Sequence, residues 1–231
     1  MSRYPITYSI GIIIICTSIW ACKEELVEEP LPDNTEIELQ HPDYFPNNIA
    51  SPSDNPLTEK GVALGRMLFY EKQLSLDGSI SCASCHQQSK AFTDGEQFSS
   101  GVNGTIGVKN AMSLANLHWT SRFFWDGRAE SLEDQALQPI SDPTEMNLPI
   151  EEAVERLQND PDYPARFEAA FGTDQINADL ASKAIAQFMR TLVSGNSRFD
   201  QWINEEIVLT DIEQLGMELF FTHPEASIAL R

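Results

Sequence analysis

The sequence feature that most constrains the fold is a Cys-x-x-Cys-His motif, present as "SCASCH" at residues 81–86. Cys82 and Cys85 are separated by two residues, and His86 follows directly. A disulfide between these thiols would close a very short loop and stabilise little. Structural zinc needs about four ligands, and no second Cys or His pair accompanies the motif. The third interpretation is a covalently attached c-type haem, with thioether bonds to both cysteines and His86 as the iron ligand.

The start of the chain favours the haem interpretation, because it predicts export. Arg3 precedes the apolar run "ITYSIGIIIICTSIW", and Ala21 stands directly before Cys22. This pattern is typical of a secretory signal, and "IWAC" resembles a lipobox, in which Cys22 becomes the lipidated first residue. An uncleaved membrane anchor is the alternative, but the run is short of the roughly 20 residues that span a bilayer. We expect residues 1–22 to be a lipoprotein signal peptide, and the protein to be periplasmic or at the outer membrane of a Gram-negative bacterium.

Residues 23–56 form an acidic segment with six prolines and no sustained apolar period. This composition buries too little apolar surface to offset the entropy of ordering, and it predicts a tether or an irregular arm. The whole chain has a formal charge of −20. Nucleic acid would be repelled by this charge, so we exclude it as a partner. A basic protein partner would be attracted. The alternative is that the charge only keeps the protein soluble.

The remaining sequence predicts an all-α fold. Helical signals cover residues 149–160, residues 162–172 up to Gly172, and residues 177–193, and no stretch alternates convincingly enough for a strand. Residues 71–147 are instead rich in turn residues, with "LDG", "TDG", "VNG" and "WDG". Because a haem supplies much of the core, a domain with few helices and long loops suits it. We therefore predict a cytochrome-c-like haem domain.

The end of the chain repeats the segment before the haem motif. "LGRMLFY" at residues 64–70 matches "LGMELFF" at residues 215–221. Eleven residues separate Tyr70 from Cys82, whereas ten residues follow Phe221 before the chain ends. Equal spacing would place a second cysteine near position 233. Chance similarity of two apolar helices is the alternative. We expect the chain to contain the first helix of a second haem domain and to stop before its motif.

Four segments carry a more specific resemblance. They are "LGRMLFY…SCASCH", "KNAMSLANL", "FFWDGRAESLEDQALQPISDPTEM" and "RTLVSGNSRFDQW". Together they resemble the bacterial di-haem cytochrome c peroxidase family, which includes MauG-like enzymes, over about residues 57–222. Members have a peroxidatic haem domain followed by an electron-donating one. The resemblance implies that residues 57–205 are the peroxidatic domain and that residues 206–231 are the truncated start of the second.

The resemblance also implies an activity and its residues. Hydrogen peroxide would be reduced with electrons from a small cytochrome c or a cupredoxin. Glu145 would be the acid–base, with Gln135 as its positioning neighbour, and Trp125 would lie on the electron route between haems. Asn110 would contribute to a calcium site at the domain interface, which would be incomplete here. A homodimer is a further expectation. The alternatives are a surface position for Glu145 and core packing for Trp125.

The sequence departs from the family at the loop "FSSGVNGTIG". Many members place a distal histidine there, and Val102 takes its position. We therefore predict a resting iron without a distal histidine, ready without reductive activation. His118 could substitute as a ligand, or it is simply a packed or exposed histidine.

Two other classes of function remain open. A one-haem electron carrier would need only His86, a sixth ligand such as methionine and an exposed haem edge, and would have no use for Gln135 and Glu145. An incomplete product lacking the second haem would be inactive, and its last helix would expose apolar side chains to water, namely Leu215, Leu219 and Phe220.

Overall fold

The structure, a computed structural model, describes residues 34–47, 49 and 51–222. Within these ranges the chain is helical, and its extended pairing is limited to four isolated β-bridges. The α-helices are α1 (Glu59–Tyr70), α2 (Cys82–Cys85), α3 (Leu132–Ser141), α4 (Ile150–Asn159), α5 (Tyr163–Phe171), α6 (Ala178–Arg190), α7 (Arg198–Ile203) and α8 (Asp211–Thr222). Short 3-10 turns cover Lys72–Leu74, Gln88–Lys90, Val102–Gly104 and Leu117–Trp119. The all-α prediction is confirmed.

The predicted signal peptide and its lipidation site Cys22 lie outside the described residues. In the described ranges, no helix is both long enough and apolar enough to cross a bilayer.

Sequence signals explain where the predicted helices begin and end. α6 begins after Asn177, whose side chain caps the first turn with a hydrogen bond of 2.9 Å. α5 ends at Gly172, which has a φ of 75° that glycine adopts without steric cost. α6 ends at Arg190, earlier than the predicted residue 193. The Thr191 hydroxyl donates to the Phe188 carbonyl at 2.7 Å, in the turn that closes the helix.

α1 and α6 form the most extensive helix–helix contact among the described elements. A Cβ on Gly65 would lie 1.8 Å from the carbonyl oxygen of Ala184, so the two backbones can approach this closely only at a glycine. One turn later on α1, Phe69 is 1% exposed, and its ring centroid lies 5.2 Å from that of Phe188. This contact forms one side of the hydrophobic core.

A largely buried ion pair joins α3 to α6. Arg190 donates to both carboxylate oxygens of Glu133, at 2.7 and 2.8 Å. Asn55 donates to Glu133 at 2.6 Å and accepts a hydrogen bond from Gln187 at 2.9 Å. Burial alone would raise the pKa of Glu133, but the hydrogen bonds from Arg190 and Asn55 hold it below its usual value. Because removing one partner would leave a buried charge unpaired, this network fixes the position of α3.

The described part of segment 23–56 lies against the domain as an irregular arm. The Tyr44 hydroxyl donates to Asp200 at 2.6 Å. The indole nitrogen of Trp119 donates to the Pro46 carbonyl at 3.0 Å. This part of the acidic segment is therefore held by specific bonds to the domain.

α8 presents apolar side chains to solvent in the described part of the chain. Leu215 and Leu219 are each 53% exposed, and Phe220 is 42% exposed. The helix starts with a cap, because Glu213 accepts hydrogen bonds of 2.8 Å from both the amide and the hydroxyl of Thr210. These three side chains are thus in contact with solvent in the described structure.

Gly65→Ala should destabilise the protein, because its Cβ would force α1 away from Ala184. We expect the free energy of unfolding to fall by roughly 1–3 kcal/mol. Gly216→Ala is the matched control at the same place in the repeat, since nothing lies within 4 Å of its added Cβ. That variant should be neutral, or more stable by up to about 1 kcal/mol through helix propensity. Urea unfolding followed by far-UV circular dichroism measures both, and equal losses would contradict the crossing at Gly65.

Candidate functional site

A cavity of about 460 Å³ lies within the described domain. Its volume falls in the range of roughly 300–1,000 Å³ that is usual for small-molecule sites. Much of its lining is apolar, contributed by Phe69, Leu114, Leu117, Phe123, Ile185 and Met189. Three basic residues also line it, Lys109, Arg122 and Arg128. The cavity can therefore hold a large apolar ligand that carries acidic groups.

Helix α2 presents the Cys-x-x-Cys-His motif to this cavity. Cys82, Cys85 and His86 all line it, and both thiols are free, so no disulfide joins them. Burial raises the pKa of Cys82 to about 12 and raises the pKa of Cys85 above its usual value. The helix is started by a capping box, in which the Ser81 amide donates to the Ser84 hydroxyl at 3.0 Å.

His86 is oriented by a backbone carbonyl. Its Nδ1 lies 2.8 Å from the carbonyl oxygen of Phe92. Because a carbonyl only accepts, Nδ1 donates, and in the neutral ring the lone pair is then on Nε2. Burial lowers the pKa of His86, which favours the neutral ring. The carbonyl is aimed by two consecutive left-handed residues, Ala91 with a φ of 53° and Phe92 with a φ of 59°. Such backbone strain is typical of functional sites, and the result is an imidazole suited to ligate a metal.

Asp94 is a buried carboxylate beside this motif that sequence reasoning missed. It is 6% exposed and accepts hydrogen bonds from the Ser99 hydroxyl at 2.6 Å and the Glu96 amide at 3.0 Å. Burial alone would raise its pKa, but these bonds bring the pKa below its usual value, so a negative charge acts on both His86 and Cys85. In the sequence, "TDG" predicted only a turn, and a turn signal does not show whether its aspartate is buried.

Glu145 and Gln135 line the same cavity as His86. Gln135 lies on α3, and Glu145 lies in the loop that follows, where it is solvent-exposed. The surrounding protein still raises the pKa of Glu145 by displacing water, and the charge of Asp142 adds to this effect, whereas Arg128 opposes it. A carboxyl group with a raised pKa is suited to taking up and releasing a proton near neutral pH.

The loop that carries Glu145 folds back onto the end of α3. The Met146 amide donates to the Pro139 carbonyl at 3.1 Å, and the Leu148 amide donates to the Ile140 carbonyl at 2.7 Å. The last carbonyls of a helix lack partners within the helix, so the loop satisfies groups that would otherwise be orphaned. This packing places Glu145 at the cavity.

Trp125 and Asn110 also line the cavity. Trp125 is 58% exposed, so core packing does not describe it, and its indole nitrogen donates to the Asn110 carbonyl at 3.1 Å. Among the described residues, no group of three or more His, Cys, Asp or Glu side chains is arranged to hold a metal ion. The calcium site that includes Asn110 stays a prediction.

Neither Val102 nor His118 contributes to the lining of this cavity. Val102 is 1% exposed, with its side chain buried in the protein. His118 Nε2 lies 2.8 Å from the Ile49 carbonyl, and its ring packs on Trp119 with the centroids 5.0 Å apart. His118 is therefore a packed histidine in this structure, and His86 is the histidine that lines the cavity within the described ranges.

These residues fit a c-type haem. Cys82, Cys85 and His86 would hold it, the apolar lining would surround the porphyrin, and the basic residues suit its carboxylates. A zinc ion would find too few ligands in the described residues.

A family model for di-haem cytochrome c peroxidase, CCP_MauG, matches residues 59–207. The chain belongs to the di-haem cytochrome c peroxidase family. The methylamine utilization protein MauG of Methylorubrum extorquens is 41% identical over 177 residues, which are 76% of this chain and 50% of that protein. Cytochrome c551 peroxidase of Nitrosomonas europaea is 40% identical over 158 residues, covering 68% of this chain and 47% of that protein.

A solved structure of a MauG-like protein associated with microbial copper homeostasis is similar as well. It has 38% sequence identity and a TM-score of 0.73, and the match covers 80% of this chain and 55% of that one. The family prediction is confirmed. The chain spans about half the length of the curated peroxidase relatives named here, so the activity of a whole di-haem peroxidase is a proposal for it.

Removing both thiols should abolish covalent haem attachment. We expect acid–acetone to extract haem from a Cys82→Ala/Cys85→Ala double variant and not from the unaltered protein. Each single variant should keep one thioether bond, which a shifted pyridine haemochrome band reports. Ser84→Ala changes the motif without removing a thiol and should resemble the unaltered protein. Extractable haem in the unaltered protein would contradict attachment at this motif.

Proposed function

We propose that this chain is a c-type haem peroxidase domain that reduces hydrogen peroxide with electrons from a small cytochrome c or a cupredoxin. The observation that carries this proposal is that Glu145 and Gln135 line the same cavity as the Cys-x-x-Cys-His motif. An electron carrier has no use for an acid–base pair. Curated relatives named as cytochrome c peroxidases, from Nitrosomonas europaea and Escherichia coli, support the proposal.

The side chains at the cavity would handle the protons of the reaction. Bound haem c would supply redox-active iron with a position open to peroxide. Glu145 would take a proton from the inner peroxide oxygen and return it to the outer oxygen, which then leaves as water. Gln135 would hold the peroxide by a hydrogen bond. Two electrons and two further protons would complete the reduction of one peroxide to two waters. His86 would stay in a fixed orientation through its hydrogen bond to the Phe92 carbonyl.

We also propose Trp125 as the point of electron entry. Its indole is more than half exposed while it lines the cavity, so it can contact a partner protein or a second haem domain. This chain has one Cys-x-x-Cys-His motif, whereas peroxide reduction needs two electrons. The second haem expected of a full-length relative, or an external donor, would supply them through this surface.

A one-haem electron carrier is the second candidate, and one observation favours it. Met112, Met146 and Met189 also line the cavity, and methionine ligates the iron of electron-carrying cytochromes. A carrier of this kind would be six-coordinate and would not react with peroxide.

Export and anchoring belong to the proposal as well. The sequence of residues 1–22 supports a lipoprotein signal, with Cys22 lipidated and the mature protein located in the periplasm or at the outer membrane of a Gram-negative bacterium. In that compartment, a homodimer and a calcium ion at Asn110 remain expectations from the family resemblance.

Glu145→Gln should slow the reaction of the haem-loaded protein with peroxide by roughly 10²–10⁴-fold. The rate of the unaltered protein should rise with pH, because the ionised carboxylate accepts the proton. Its midpoint should lie above the ordinary glutamate value of about 4.3, because the surrounding protein displaces water and raises the pKa of Glu145. Stopped-flow absorbance measures both. Glu151→Gln, at an exposed position on α4, is the control, and a Glu145 variant as fast as this control would refute the assignment.

The resting ferric protein should lack a bis-histidine signal, because Val102 replaces the distal histidine and His118 is bonded to the Ile49 carbonyl. Electron paramagnetic resonance and optical absorption at neutral pH test this. His118→Ala should leave the haem spectrum unchanged. A low-spin bis-histidine spectrum that His118→Ala abolishes would show the opposite.

A further inference from the structure

Gly101, in the loop between α2 and α3, lies directly against the backbone that carries Glu145. A Cβ on Gly101 would be 2.1 Å from the carbonyl oxygen of Thr144 and 2.6 Å from that of Glu145. Contacts of a real Cβ are not shorter than 3.0 Å, so the first distance would have to widen by close to an ångström. Gly101 has a φ of −86° and a ψ of −170°, which any residue adopts. Glycine is therefore required here by the close approach and not by its conformation.

Hydrogen bonds join the same two backbones. The Val102 amide donates to the Glu145 carbonyl at 2.9 Å. The Thr105 hydroxyl, which also donates to the Val102 carbonyl at 2.9 Å, lies 3.3 Å from the Thr144 carbonyl. Val102 is almost fully buried, so the loop is anchored in the protein at the residue that bonds to Glu145.

We propose that residues 99–107, here called the clamp loop, position Glu145 for proton transfer through the contacts of Gly101 and Val102. This inference rests on the proposed role of Glu145. The carboxylate lies on an exposed loop. The Glu145 amide donates to the carbonyl of Asp142, which caps the end of α3, at 3.0 Å, and the Met146 amide donates to the Pro139 carbonyl at 3.1 Å. The clamp loop supplies the contact on the other side. Gly101 and Val102 are thus positioning residues, and they act through the main chain of Glu145.

Proton transfer requires the reacting groups to be held at hydrogen-bonding distance. A reacting group that is displaced by about 1 Å can lose roughly 10²-fold in rate. Gly101→Ala would impose a displacement of this size on the Thr144–Glu145 backbone while changing no polar group. It should therefore mimic loss of the Glu145 carboxylate without removing it.

The test compares four forms of the haem-loaded protein: Gly101→Ala, Gly104→Ala, Glu145→Gln and the Gly101→Ala/Glu145→Gln double variant. Gly104 is the matched control, because it has a φ of 71° and nothing lies within 4 Å of an added Cβ. Gly104→Ala thus strains the same loop without touching Glu145. Circular dichroism and haem content verify that each form folds.

Two rates are measured, the reaction with peroxide and the binding of cyanide to the ferric protein. Cyanide binding involves no turnover, but hydrogen cyanide must lose a proton to a nearby base as it binds. We expect Gly101→Ala to slow both rates roughly tenfold or more, with Gly104→Ala within about twofold of the unaltered protein. On the Glu145→Gln background, Gly101→Ala should slow the two rates by less than about a further twofold, because two changes that act through one group are not additive.

The outcomes separate the two proposals. If Glu145→Gln reacts like the unaltered protein, the proposed role of Glu145 fails, and the positioning inference fails with it. If Glu145→Gln is slow and Gly101→Ala is as fast as Gly104→Ala, only the positioning inference is overturned. The positioning inference is also overturned if Gly101→Ala slows the Glu145→Gln variant by as large a factor as it slows the unaltered protein. If Gly101→Ala does not fold, Thr105→Val replaces it. A smaller decrease in both rates, absent on the Glu145→Gln background, then supports the inference. Unchanged rates in Thr105→Val refute it.

Discussion

The crossing of α1 and α6 at Gly65 is the contact on which the rest of the domain depends. The missing side chain lets the Ala184 carbonyl approach the α1 backbone, so the two helices pack as one rigid unit. α1 leads through a short turn towards the Cys-x-x-Cys-His motif, whereas α6 contributes Ile185 and Met189 to the cavity lining. Phe69 of α1 lines the same cavity, so the crossing holds lining residues of both helices in place. The ion pair between Glu133 and Arg190 adds α3 to the same unit, and with it Gln135.

The haem-attachment motif and the loop that carries Glu145 are positioned by different kinds of contact. The haem-attachment side is local in the chain, because the carbonyl that orients His86 belongs to Phe92, six residues later. The side that carries Glu145 depends on contacts between segments about forty residues apart, where Val102 meets Glu145. A local motif can persist when the rest of the domain changes. The position of Glu145 and Gln135 at the cavity depends on the packing of α3, the loop that follows it and the clamp loop.

The proposed chemistry divides the reaction between this chain and its partners. In this proposal, Glu145 would handle the protons, in a cavity whose protein surroundings raise the pKa of the carboxylate. Electrons must arrive from outside the cavity, and Trp125 presents an exposed indole where the lining meets solvent. If the formal charge of −20 does more than keep the protein soluble, the proposed donor would be basic, because opposite charges accelerate encounter. Membership of the di-haem peroxidase family is consistent with this division between a peroxide site and an electron supply.

From the sequence by itself, the haem motif, the helical class, the positions of α4 to α6 and the family could be predicted. These depend on short-range patterns: the spacing of Cys82, Cys85 and His86, the capping residue Asn177, and four motifs in order. Gln135 and Glu145 were identified only through the resemblance, since nothing local distinguishes a cavity glutamate from a surface one. The burial of Asp94 and the contact at Gly101 were decided by the tertiary structure. Both depend on which distant backbone lies alongside, and a turn signal in the sequence specifies the bend of the chain but not its neighbour.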